Sequence, residues 1–157
     1  MSAQHFLDKQ VTVPNTTSAY SADEAVGAPQ TVIFDPSLGT DLYIDRVDGV
    51  VQATAAPDLE LFLFALPFTT PPVDNTALAM DETEFRKWFV GRVALAAADW
   101  TAVAGSDILT ISKTIPAIKA IGGRKYYLVV RTAAGVTFVT ASAIDVWFRS
   151  TQMKVED

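Results

Sequence analysis

The chain contains no cysteine, and its one histidine, His5, stands close to the amino end. Without thiols there is no disulfide, no thiolate nucleophile and no thiolate metal ligand, so stability has to come from packing and assembly. The serines and threonines have no histidine partner in a folding segment and no Gly-x-Ser-x-Gly elbow occurs, which removes the usual activated hydroxyl. Charge is sparse as well: 19% of the residues are charged, against roughly 25% in a typical soluble chain. The twelve Lys and Arg are scattered through a chain of net charge −6, a balance that repels phosphate backbones and argues against nucleic acid as a partner. No apolar run reaches the roughly 18 to 20 residues of a membrane helix, because Pro57, Asp58 and Pro67 bound the longest candidate, so no membrane partner is expected. Residues Met1 to Lys9 lack a basic region leading into an apolar one, and the expectation is synthesis in a cytoplasm without a secretory leader.

What the chain has in quantity is apolar strand. Half of its 157 residues are hydrophobic and the mean hydropathy is +0.24. In the run Leu59-Glu60-Leu61-Phe62-Leu63-Phe64-Ala65-Leu66, alternation sends Leu59, Leu61, Leu63 and Ala65 to one face and Phe62, Phe64 and Leu66 to the other. Both faces need cover, either from loops or from another chain. The length fits one domain with a real core.

Turn signals divide the sequence into short strands. Gln10 to Val13 starts one, but Pro14-Asn15-Thr16-Thr17-Ser18 and Ser21 to Ala28 are polar and turn-rich, so residues 1–28 read as an extended arm with little core and residues 29–157 as the domain. Thr31 to Phe34 is a short strand ended by Asp35-Pro36-Ser37-Leu38-Gly39, and Leu42 to Ala53 is a longer one, interrupted like a bulge at Asp45, Arg46, Asp48 and Gly49. Asp81 with Glu84 three residues on predicts the start of the single helix, over residues 81–88, with Phe85, Trp88 and Phe89 on its apolar side. Val90 to Ala96, Ile108 to Ile111, Tyr126 to Thr132 and Ala143 to Phe148 add four strands, and Ala133-Ala134-Gly135 reads as a hairpin turn into Val136. The whole predicts an all-β antiparallel sandwich, jelly-roll-like, with about eight strands and one short helix.

Candidate chemistry is thin. The carboxylate pairs Asp45 with Asp48, Asp23 with Glu24, and Glu82 with Glu84 lie in loop-like or solvated contexts and read as turn, capping and solubility residues. Asp41, Asp45 and Asp48 have hard oxygens but not the spacing of a calcium loop, and Ile121-Gly122-Gly123-Arg124-Lys125 matches no phosphate loop and leads into a strand. Trp88, Trp100, Trp147, Tyr126 and Tyr127 could stack on sugar rings; Trp88 and Trp100 read better as core and Trp147, set between Asp145 and Arg149, as a subunit contact. No catalytic residue, metal or cofactor is expected.

Several segments in fixed order resemble the capsid decoration, or cement, proteins of tailed bacteriophages. They are Tyr20-Ser21-Ala22-Asp23-Glu24-Ala25-Val26-Gly27; Asp58-Leu59-Glu60-Leu61-Phe62-Leu63-Phe64; Asp74-Asn75-Thr76-Ala77-Leu78 with Asp81 and Phe85; and Tyr126-Tyr127-Leu128-Val129-Val130-Arg131-Thr132, followed by a last strand after Ser142. The resemblance implies a non-enzymatic virion protein on the outside of the capsid, binding the major capsid protein, often as a homotrimer. Contacts with other subunits are then expected from the arm through Val11, Val13 and Tyr20, and from Tyr127, Val129, Arg131, Trp147 and Arg149 on the later strands. Another phage head, tail or adaptor protein, or a carbohydrate-binding sandwich module, are the competing expectations.

Overall fold

Period-two alternation folds the described residues into nine strands: β1 (Ser2–Val13), β2 (Gln30–Ile33), β3 (Leu42–Gln52), β4 (Leu59–Phe64), β5 (Phe89–Leu95), β6 (Thr101–Ala102), β7 (Ile108–Ala120), β8 (Lys125–Thr132) and β9 (Ile144–Lys154). Among the described residues one α-helix, α1 (Glu82–Trp88), stands between β4 and β5, and a 3-10 turn, Ala97–Asp99, follows β5. The structure is a computed structural model; it describes residues 2–34 and 42–154, with side chains over 9–34 and 42–150. The expected turn at Asp35 to Gly39, Asp41, and the side chain of His5 lie outside the described residues.

The strands form two antiparallel sheets, β1-β9-β3-β7-β6 and β2-β8-β4-β5. With the two-residue β6 set aside, successive strands change sheet except at the β4-β5 pair, the double Greek key order of a jelly roll, as the sequence predicts. The inner rows meet in one core. Ile144, Val146 and Phe148 from β9 and Leu42, Ile44, Val47 and Val51 from β3 face Leu59 and Leu61 from β4 and Leu128 and Val130 from β8, and all are buried. Each such side chain contributes about 1.5 to 3 kcal/mol relative to exposure. The sheets approach closely where β5 meets β7: a Cβ on Gly91 would lie 2.6 Å from the end of Ile118. The interruption expected in β3 is a register shift between Ile44 and Arg46, present in its pairing with both neighbours.

Residues 1–28 are not a separate arm. β1 pairs with β9 from Ser2 opposite Lys154 to Val13 opposite Ile144, and Val11, Val13, Tyr20, Ala25 and Val26 are buried in the common core. The polar composition that suggested an arm satisfies buried backbone instead. Asn15 donates to the Thr140 carbonyl at 2.9 Å and accepts from the Ala143 amide at 2.7 Å. The Tyr20 hydroxyl donates to Asp74 at 2.8 Å while accepting from the Thr16 amide, and Asp74 also accepts from the Gly27 amide at 2.7 Å. Burial, with Asp74 alongside, raises the Tyr20 pKa, so the phenol stays protonated and remains a donor. The expected hairpin after Gly135 is absent too: Val136 pairs with Tyr20, and Phe138 with Ala53.

The second apolar face of β4 is covered by the chain's own excursion between β4 and β5. Phe62, Phe64, Phe68 and Val129 form a second buried cluster, and Leu78, Met80, Phe85 and Trp88 pack on it. Asp81 caps α1 by accepting from the Glu84 amide at 2.9 Å, as the spacing predicts. The Glu84 carboxylate does not close a capping box; it accepts from the backbone amide and hydroxyl of Thr69, which fastens α1 to the loop that follows β4.

Candidate functional site

Two surfaces carry side chains that the core does not account for. The first is the outer face of the five-stranded sheet. Trp147 lies in register between Gln10 on β1 and Asp48 on β3, and Asp145 lies between Thr12 and Val50. Trp147, Val50, Asp48 and Arg149 are half-buried, and Gln10, Thr12 and Ser112 are exposed, so this face is solvated. Its charges are paired within the sheet: Asp48 accepts from Arg149 and lies 3.3 Å from Arg46. Burial alone would raise the Asp48 pKa, but hydrogen bonds from Ser112 and Arg149 and the fields of both arginines outweigh it and hold the group below its ordinary 3.8.

The second is a cleft of about 530 Å³ on the outer face of the other sheet, beside α1, lined by Glu60, Phe62, Leu78, Met80, Glu82, Phe85, Arg86, Arg92 and Arg131. Register builds its charged end, because Glu60 on β4 stands opposite Arg131 on β8 while Arg92 on β5 stands opposite Phe62. One Glu60 oxygen lies 3.1 Å from Arg92 and the other 2.7 Å from Arg131. The Arg131 guanidinium sits over the Phe62 ring, 5.7 Å from its centre. The hydrogen bond from Arg92, with Arg131 adding a second, holds the Glu60 carboxyl below its usual range against the opposing effect of burial.

These two carboxylates predict acid sensitivity. A carboxylate whose pKa is depressed by folding contributes stability that is complete above its unfolded pKa and lost as pH falls through the folded one. For Glu60 the loss therefore begins near its ordinary value of 4.5 and continues downward. Glu60→Gln should be less stable than the parent at neutral pH and lose less on acidification; urea unfolding at a series of pH values checks this, and parallel curves for the two proteins would contradict it.

The eight expected contact residues divide between core and surface. Val11, Val13 and Tyr20 are buried in the main core and Val129 in the second cluster, so their side chains have no surface to give to a neighbour; in each the inward row of the strand, or the excursion over β4, claims the apolar group. Tyr127 is half-buried and lines a groove with Pro29, Pro67 and Phe68. Arg131 belongs to the cleft, and Trp147 and Arg149 to the open sheet face. Glu60 and Arg92 escaped the sequence reading, although the lone charge of Glu60 within an apolar run was a usable signal. Among the sugar-stacking candidates Trp100 and Tyr126 are buried and Trp88 packs on Phe68. Among the described residues no three His, Asp or Glu side chains could share a metal ion. Of the paired acids, Asp23 lies 3.5 Å from Arg131 and Glu24 accepts from the Ser21 amide.

The described residues form a jelly-roll sandwich with an open sheet face and an amphipathic cleft beside α1. No protein-family model and no curated protein matches the sequence. The chain is similar to a solved structure of Eiger TNF from S. frugiperda, over 98% of this chain and 97% of that one, at 10% identity and a TM-score of 0.35. No helix among the described residues is long and apolar enough to cross a membrane.

Proposed function

We propose that the protein is a non-enzymatic virion component, a decoration or cement protein that binds the outside of the major capsid shell of a tailed bacteriophage as a homotrimer. One observation carries the reading. Three of the segments on which the resemblance rests, far apart in sequence, are hydrogen-bonded into one unit. The Ala25 amide donates to Thr76 and Asn75 donates back to Ala25; Leu78 donates to Asp23; Val26 donates to Val130 and Thr132 to Glu24. Asp23 and Asn75 take positive φ values of 64° and 56° within this unit, a conformation Asp and Asn adopt more readily than most residues. The segments that carry the resemblance thus form a joint that fixes the long excursion to the sandwich.

The contact surface under this reading is the open face around Trp147. Four strands about 4.8 Å apart and seven residues at about 3.4 Å each make a face of about 450 Å², close to one partner's share of a minimal specific contact of about 1,000 Å². Adding copies to an assembled shell stabilises it by mass action, because only the assembled lattice offers the site. The test is co-sedimentation with purified empty, expanded heads and, separately, with tails. Saturable binding to heads alone is expected, and Trp147→Lys should weaken it by tenfold or more, about 1.4 kcal/mol. Binding to tails alone, or to neither, overturns the proposal.

A further inference from the structure

We infer that the cleft beside α1 binds a carboxylate flanked by apolar side chains, presented by an acidic segment of a partner polypeptide. The inference does not rest on the capsid reading, and either can fail without the other.

The cleft has the size and lining of a recognition site. Its volume of about 530 Å³ lies within the roughly 300 to 1,000 Å³ of ligand sites. Phe62, Leu78, Met80 and Phe85 give it an apolar floor and wall, and three guanidiniums face two carboxylates in a chain whose net charge is −6. Glu60 uses both oxygens on Arg92 and Arg131, so one carboxylate sits between two cations and positive charge remains at that end. Asp23 reaches Arg131 at 3.5 Å but is 71% exposed on the rim, where water screens it.

The donors are held ready. Arg131 is fixed by Glu60 and by the Phe62 ring and its Nε is shut away from the cleft, so it supplies this end with charge, while the accessible N–H groups are those of Arg92. Arg92 is half-exposed, so its remaining N–H groups are accessible, and a guanidinium fork matches a carboxylate. Glu60 and Glu82 would repel the second charge of a phosphate, whereas a single carboxylate matches the cation excess. Phe62 lies beneath Arg131 and is buried, so it offers no open ring for a sugar. The cleft is also open along one side, and a small acid would keep much of its surface wet there; a polypeptide strand can lay apolar neighbours along Met80 and Phe85 and bury more.

The test uses the full chain and three probes: acetyl-Leu-Glu-Phe-amide, its Gln counterpart, and phenylacetate. Arginine side-chain N–H resonances report on binding. The Glu peptide should shift the Arg92 and Arg131 signals saturably at millimolar concentration, and the Gln peptide should bind about tenfold more weakly. Arg92→Gln should produce a similar loss. Arg86→Glu, on the exposed side of α1, keeps the Glu60 cluster intact and should also weaken the Glu peptide several-fold. No saturable shift, equal binding of the Glu and Gln peptides, or indifference to Arg86→Glu overturns the inference. Phenylacetate binding as tightly as the peptide overturns the polypeptide part of it.

Discussion

Phe64→Ala should lower the unfolding free energy by about 3 to 5 kcal/mol, at the upper end for a buried aromatic. Phe64 is fully buried and is the hub of the second cluster. Its ring meets Phe68 at 4.7 Å, Phe85 at 5.1 Å and Phe89 at 6.2 Å, all edge-on. The substitution removes the packing that holds α1, and a seven-residue helix is far too short to persist alone. Release of the helix would expose the outer face of β4, so aggregation should accompany the loss. Phe89→Ala is the control, since Phe89 is 43% exposed and should cost about 1 kcal/mol or less. Urea unfolding of the two variants beside the parent makes the comparison. If the outer face of β4 were instead a subunit interface, Phe64→Ala would dissociate the assembly and leave the monomer's stability nearly unchanged.

Gly27→Ala should be the second severe substitution. Gly27 has φ +70°, and a Cβ there would lie 2.1 Å from the carbonyl oxygen of Pro14. The left-handed conformation alone costs a side-chain-bearing residue about 1 to 2 kcal/mol. The clash is with backbone, which cannot swing aside, so the chain must move and give up the Gly27 amide's bond to Asp74 and the seating of Val13 and Val26. A total of about 3 kcal/mol or more is expected. Gly105 isolates the two effects: its φ is +77° but nothing lies within 4 Å of the position of a Cβ. Gly105→Ala should therefore cost only the conformational part. Equal losses in the two variants, measured by thermal and urea unfolding, would show that the close approach of residues 14 and 27 does not exist in solution.

Alternation alone carried much of the architecture. Ile144, Val146 and Phe148 against Asp145, Trp147 and Arg149 are the inner and outer rows of β9, and the Asp81 cap marks the helix start. What alternation could not show is which partner covers an apolar face. The choice between a neighbouring chain and the chain's own loops depends on Phe68 and Phe85 returning from outside the strand to meet Phe64 and Phe62, with Trp88 packed on Phe68. Residues 14–28 misled because Asn15 bonds the Thr140 backbone and Tyr20 and Gly27 bond the Asp74 carboxylate, all more than 40 positions away, and local composition has no access to that. β7 was read as ending near Ile111, short of Pro116, yet it continues past it. The register passes from Thr114 opposite Arg46 to Ile118 opposite Ile44, so Pro116 falls in the irregularity where its missing N–H breaks no ladder bond. The cleft was invisible for the same reason as the cover: Glu60 and Arg131 are cross-strand partners only once β4 and β8 are adjacent.

The sandwich covers both faces of β4 itself, and the capsid contact we propose then falls on the outer face of the five-stranded sheet. Hydroxyl-radical footprinting of the free protein and of protein bound to expanded heads tests it most directly, read at Trp147. Oxidation of Trp147 should slow several-fold on the heads while Phe64 stays protected in both states. Trp147 reacting as fast on decorated heads as in free protein, or Phe64 becoming protected only on binding, would contradict the account.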